Sequence, residues 1–172
     1  IVPPKVTKQV SVDGGKTWHD SKDLADNDSK FDYKLGYEFT GNGDYTKIQF
    51  KEEWESSQYV DLANVKLFTK DGKEIGGTKK VVNEAGKDVT EDYNKHVFQK
   101  DGKKETLYIV FTPDKISDIT SLAAKDDPKG LVNLTLSIKD VTLKGATGAE
   151  LANYLDKDGK IVTPNTGELI TS

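Results

Sequence analysis

Five apolar residues at strict two-residue intervals, Phe31, Tyr33, Leu35, Tyr37 and Phe39, constrain this chain more than any other feature. Asp32, Lys34, Gly36 and Glu38 fill the gaps. Successive side chains of a strand point to opposite faces, so residues 31–39 read as a strand with one dry face and one wet face. A strand of this kind needs a sheet around it and a second layer over its apolar side.

Two other stretches carry the same alternation. Val6, Lys8, Val10 and Val12 share one parity of an early strand, and Ile48, Phe50, Glu52 and Trp54 share one parity of a later strand. Shorter runs read as further strands: Val65 with Leu67, residues 97–99, Leu107 with Ile109 and Phe111, and Leu131 to Leu143 around Leu134, Leu136 and Ile138. Asp13-Gly14-Gly15 and Gly41-Asn42-Gly43-Asp44 read as turns, and residues 19–30 as a polar, acidic loop. Lys70-Asp71-Gly72-Lys73 recurs in type as Lys100-Asp101-Gly102-Lys103 and Lys157-Asp158-Gly159-Lys160. Asp-Gly tolerates the positive φ of a tight hairpin, and lysines keep its tip soluble. Residues 114–124 and 147–155 have the spacing of short helical connections. The expected fold is all-β: an Ig-like Greek-key β-sandwich with one or two short helical connections.

The length of 172 residues suits one domain with its own core. Pro3 and Pro4 forbid a helix and stiffen the entry, so residues 1–4 read as a linker and residues 5–172 as a single domain. All 25 basic residues are lysine and the net charge is -4, which offers nothing to nucleic acid and disfavours bidentate phosphate recognition. Cysteine and methionine are both absent. Disulfides and thiolate chemistry are therefore excluded, and a sulfur-free chain suits an exposed, extracellular setting. No apolar run is long enough to span a membrane, so no membrane partner is expected.

Three residues break the apolar parity of their strands. Lys8 and Glu52 stand on inward positions, and Asn165 shares a parity with Ile161, Gly167 and Leu169 in the last strand pattern. Burying an unpaired charge costs several kcal/mol, roughly, so an inward lysine, acid and amide call for a common explanation. On the residues alone two readings stand. Lys8 and Glu52 form an ion pair while Asn165 serves a turn at Pro164-Asn165-Thr166-Gly167, or the three react. Burial favours the neutral forms of an amine and a carboxyl. A neutral amine is a nucleophile, and a protonated carboxyl polarises an amide and shuttles protons. Attack of Lys8 on the side-chain carbonyl of Asn165 would expel ammonia and close almost the whole chain into one loop. Held proximity supplies roughly 7–11 kcal/mol of such a barrier.

The order of these features resembles the isopeptide-forming domains of Gram-positive pilins and surface adhesins, of the collagen-adhesin A type. The likeness rests on Pro3-Pro4-Lys5-Val6-Thr7-Lys8 at the start, Ile48-Gln49-Phe50-Lys51-Glu52-Glu53-Trp54 in the middle and Pro164-Asn165-Thr166-Gly167 at the end. It implies an autocatalytic intramolecular bond between Lys8 and Asn165, with Glu52 as the catalytic acid. Lys5 is the alternative lysine and Glu53 the alternative acid, and parity favours Lys8 and Glu52. The resemblance further implies a structural module that supports adhesion, in a protein that is cell-wall anchored or part of a pilus. Its partners would be neighbouring domains of the same surface protein, with host proteins or glycans beyond them. It would need no cofactor and turn over no substrate.

Other constellations are weaker. Asp20, Asp23, Asp26, Asn27 and Asp28 offer oxygen to a calcium ion, but their spacing is not that of an EF-hand, and a solvated loop is the expected reading with no metal site. Trp18, Tyr45, Trp54, Tyr59 and Tyr93 could furnish the face of a non-crosslinked carbohydrate- or protein-binding module. His19 and His96 form no catalytic or metal pattern.

Overall fold

The structure, a computed structural model, describes residues 4–20, 22–23, 29–55, 58–94, 106–124, 126–142, 160–161 and 168–171. Eleven strands appear among them: β1 (Lys5–Ser11), β2 (Lys22–Asp23), β3 (Phe31–Thr40), β4 (Ile48–Glu55), β5 (Val65–Thr69), β6 (Glu74–Ile75), β7 (Gly77–Asn83), β8 (Thr106–Pro113), β9 (Leu131–Val141), β10 (Lys160–Ile161) and β11 (Glu168–Thr171). Two short helices, α1 (Thr90–Asn94) and α2 (Ser117–Thr120), join them. The α2 turn falls inside the helical connection expected over 114–124. The second expected helix (147–155), the strand at 97–99 and the turns at Lys100–Lys103 and 157–159 lie outside the described residues.

The strands form an all-β sandwich. One sheet has the order β1-β3-β9-β5-β6 and the other β11-β4-β8-β7, every pairing antiparallel. Most neighbours are not consecutive in sequence, so the chain crosses between sheets as in a Greek key. A small third ribbon pairs β10 with β2, so the loop expected over 19–30 contains a two-residue strand. His19 also bridges back to Val10.

Alternation explains the core. Phe31, Tyr33, Leu35, Tyr37 and Phe39 of β3 are all buried, and so are Ile48 and Phe50 of β4, Leu107, Ile109 and Phe111 of β8, and Leu134, Leu136 and Ile138 of β9. The aromatic rings interlock within and between the sheets. The Tyr37 ring meets Phe50 edge-on at 4.9 Å between centroids, and Phe50 in turn meets Phe39 at 6.3 Å and Phe111 at 6.4 Å. Edge-on rings place a positive rim on a negative face, which adds roughly 0.5–1.5 kcal/mol per pair to the area buried.

These contacts fix relative directions. β1 runs against β3, with Lys5 beside Glu38 and Ser11 beside Asp32. Across the sandwich, Phe50 meets Tyr37 and Phe39, and Glu52 meets Lys8, which sits beside Leu35. β4 therefore also runs against β3, and so lies parallel to β1 in the facing sheet. β11 runs against β4, with Glu168 beside Lys51 and Thr171 beside Ile48.

Local devices hold the ends of these strands. After β1, the Ser11 hydroxyl donates to Asp13 and accepts from the Gly15 backbone N–H, while Gly14 and Gly15 take positive φ. The Lys70–Lys73 turn closes the β5–β6 hairpin, with Gly72 at φ +83. A register irregularity between Phe31 and Tyr33 faces Asp140, which is left-handed at φ +57, and the Asp140 N–H donates to the Asp32 carboxylate at 2.8 Å.

Candidate functional site

β1 exposes Lys5 and Thr7 and turns Lys8 and Val10 into the core. β4 buries Ile48, Phe50 and Glu52, leaving Lys51 and Glu53 half-buried on the opposite face. Lys8 stands beside Leu35 in one sheet and Glu52 beside Ile109 in the other. The two inward positions face each other, and Lys8 Nζ donates to Glu52 Oε1 across the sandwich. Glu52 is fully buried and Lys8 is 7% exposed. The Lys8 ammonium also lies 4.5 Å from the centroid of the Tyr33 ring, within reach of its negative face.

Desolvation dominates the electrostatics of Glu52. Burial pushes its carboxyl up from 4.5 to about 7, against the pull of Lys8 and its hydrogen bond, with the charge of Glu53 adding a smaller upward push. The buried Glu52 carboxyl is therefore far easier to protonate near neutral pH than an exposed glutamate. Glu52 Oε2 is buried and, among the described residues, has no hydrogen-bond partner. An acceptor left open in a dry core is uncommon enough to need an explanation.

A residue that sequence reasoning did not single out lies at the same place. The Tyr37 hydroxyl is buried and has no partner among the described residues. Burial raises its pKa, and the nearby charge of Glu52 raises it further. In the sequence Tyr37 is one more member of an apolar series, and nothing in the alternation marks its hydroxyl.

Of the expected trio, Lys8 and Glu52 are brought together, and Asn165 lies outside the described residues. Lys5 is exposed, and Glu53 is on the face of β4 away from the core, so neither faces the pair. Among the described residues, none of the aromatic candidates is fully exposed. Tyr93 is fully buried; its hydroxyl accepts from the Val60 N–H at 2.8 Å and its ring stacks on half-buried Tyr59 at 5.7 Å. Tyr45 is half-buried and donates to the Thr40 carbonyl, while Trp18 is half-buried with the Lys34 ammonium 4.5 Å from its ring. The side chain of Trp54 is not among those described. Of the acidic loop, the Asp23 side chain and residues 26–28 lie outside the described residues, as does His96. Among the described residues, no three acidic or histidine side chains are grouped to hold a metal ion, and no helix is long and apolar enough to cross a membrane.

No protein-family model matches the chain, and no curated protein matches it in sequence. Among solved structures, the chain is similar to the T6 backbone pilin of serotype M6 Streptococcus pyogenes, described as a modular three-domain structure. The superposition has a TM-score of 0.38 at 15% identity and covers 84% of this chain and 26% of the pilin.

Proposed function

We propose that this chain is a structural module of a Gram-positive surface protein, a pilin or an adhesin stalk, which locks itself with one intramolecular isopeptide bond between Lys8 and Asn165. One observation carries the reading: a lysine and a glutamate buried against each other between two sheets, with the second carboxylate oxygen lacking a partner among the described residues. A simple buried ion pair would close both oxygens or be replaced by apolar residues at little cost. An open oxygen leaves room for a third polar group.

Chain connectivity supports Asn165 as that group. β11 begins at Glu168, opposite Lys51 and one residue from Glu52. Asn165 precedes Glu168 by three residues, a span of at most about 10 Å.

The chemistry follows from the pair. Passing the shared proton to Glu52 leaves Lys8 a neutral amine. Its Nζ attacks Cγ of the Asn165 side chain, and Glu52 gives its proton to the departing nitrogen. The Cγ–Nδ2 bond breaks, ammonia leaves, and the excess proton on Nζ returns to Glu52. One amide is consumed and one amide is made, so no cofactor is needed and the reaction runs once per chain. Sulfur-free composition and the likeness of the three motifs to isopeptide-forming domains support the surface location and the adhesive role.

Intact mass tests the proposal. The purified chain should weigh less than its sequence by one ammonia. Lys8→Ala, Asn165→Ala and Glu52→Ala should each weigh what their sequences require. Losing a cross-link over so long a loop removes about 5 kcal/mol in the chain-entropy model, equivalent to a Tm lower by roughly 10–20 °C. A wild-type chain of full sequence mass would falsify the proposal.

A further inference from the structure

Among the described residues, two buried polar atoms near the Lys8–Glu52 pair have no hydrogen-bond partner, and they are of complementary kind. Tyr37 offers a hydroxyl that donates, and Glu52 Oε2 offers an oxygen that accepts. Their placement is shared. Tyr37 and Leu35 are same-face neighbours on β3, and Lys8 sits beside Leu35, so Tyr37 is a diagonal neighbour of Lys8 on the inner face of its sheet. From the other sheet, Phe50 packs edge-on against Tyr37 at 4.9 Å and is the same-face neighbour of Glu52 on β4. The site thus has a nucleophile, an acid and a donor without a partner among the described residues, converging from two sheets.

We infer that Tyr37 Oη–H and Glu52 Oε2 form a two-point receptor for one primary carboxamide, the hydroxyl donating to its carbonyl oxygen and the carboxylate oxygen accepting from its N–H. The inference rests on the crosslink reading, in which that carboxamide is the side chain of Asn165. A carboxamide is the smallest common group that closes both orphans at once. Tyr37 then does more than hold. When Nζ adds to Cγ, the carbonyl oxygen becomes an oxyanion, and a donor fixed in a dry site stabilises that charge without reorganising. The same two contacts persist in the product, whose amide keeps one carbonyl and one N–H. A bound water offers the same donor and acceptor, and it is the rival occupant.

Tyr37→Phe separates the two, because it keeps the ring against Phe50 and removes only the hydroxyl. The rate is read by cell-free synthesis followed by intact mass at intervals. Loss of an oxyanion donor commonly slows chemistry by about 10²–10³-fold, so Tyr37→Phe should lose ammonia at least about tenfold more slowly than wild type. In the crosslinked wild type, the Tyr37 hydroxyl proton should give its own exchange-protected NMR signal, with a nuclear Overhauser contact to the new amide at Lys8. If Tyr37→Phe crosslinks at the wild-type rate, water or nothing occupies the receptor and the inference is overturned. A slower rate without the hydroxyl contact is a packing effect and overturns it as well. A wild type that loses no ammonia sinks the crosslink itself, a result visible before the variant is made.

Discussion

Removing Lys8 should leave Glu52 alone in the core, and the cost can be read as a pH dependence. The comparison is Lys8→Ala against Lys8→Ala/Glu52→Gln. Neither can form the bond, so both suit reversible unfolding. In the folded chain the Glu52 carboxyl is pushed up from 4.5 to about 7. At about 1.4 kcal/mol per pH unit, holding that carboxyl protonated at pH 7 costs roughly 3 kcal/mol. This is a floor for the variant, because Lys8 pulls the other way and would be gone. The sign follows from proton counts. Between pH 4.5 and about 7 the folded chain keeps a proton that the unfolded chain has released. Stability therefore falls as pH rises through that window and levels off above the folded value. Below 4.5 both states carry the proton and the penalty vanishes. Urea unfolding followed by circular dichroism at pH 7 and at pH 5 measures it. The Glu52→Gln double variant should be the more stable at pH 7 by about 3 kcal/mol or more, with the gap closing toward pH 4.5. A gap that does not change with pH, or a single variant as stable as the double, would mean that Glu52 reaches water and that the core description is wrong.

Two further substitutions test the surrounding frame. Tyr93→Phe removes the acceptor of the buried Val60 N–H, and urea unfolding should show a loss of about 1–3 kcal/mol. Gly77→Ala would place a Cβ 2.5 Å from the Thr112 carbonyl oxygen and 2.6 Å from the Phe111 ring, a contact that only backbone movement can relieve. It should destabilise by roughly 1–3 kcal/mol, and a Tm equal to wild type would show that β7 is not seated where the register places it.

What the sequence disclosed follows from what alternation encodes. β3 was legible in full because each apolar residue of Phe31–Phe39 occupies an inward position. The same parity marked Lys8 and Glu52 as inward before any partner was known. It did not disclose that β1 and β4 belong to facing sheets, since parity gives a side and never a neighbour. β7 and α1 were not anticipated. Only Val81 of β7 is buried, and Lys79 and Lys80 sit beside it on an edge strand, so the stretch shows no alternation to read. The register of β7 comes from β8, a tertiary fact. Tyr37 shows the same limit in one residue: its ring obeys the pattern, while the burial of its hydroxyl with no partner among the described residues arises only when the sheets close.

The strand directions have a consequence for how the module would meet a pull. β1 and β4 run the same way and β11 runs against β4, so Lys5 at the start of β1 and Thr171 at the end of β11 lie toward the same pole of the sandwich. Tension applied there does not slide one strand along its neighbour and break many ladder bonds together. It peels β1 from β3 and β11 from β4, one hydrogen bond after another, which is the weaker geometry for a sheet. A clasp at residues 8 and 165 would stop the first peel part-way along β1 and the second just past the far end of the short β11. Only a few residues of each terminal strand would then carry the force, and the sandwich between them would hang outside its path.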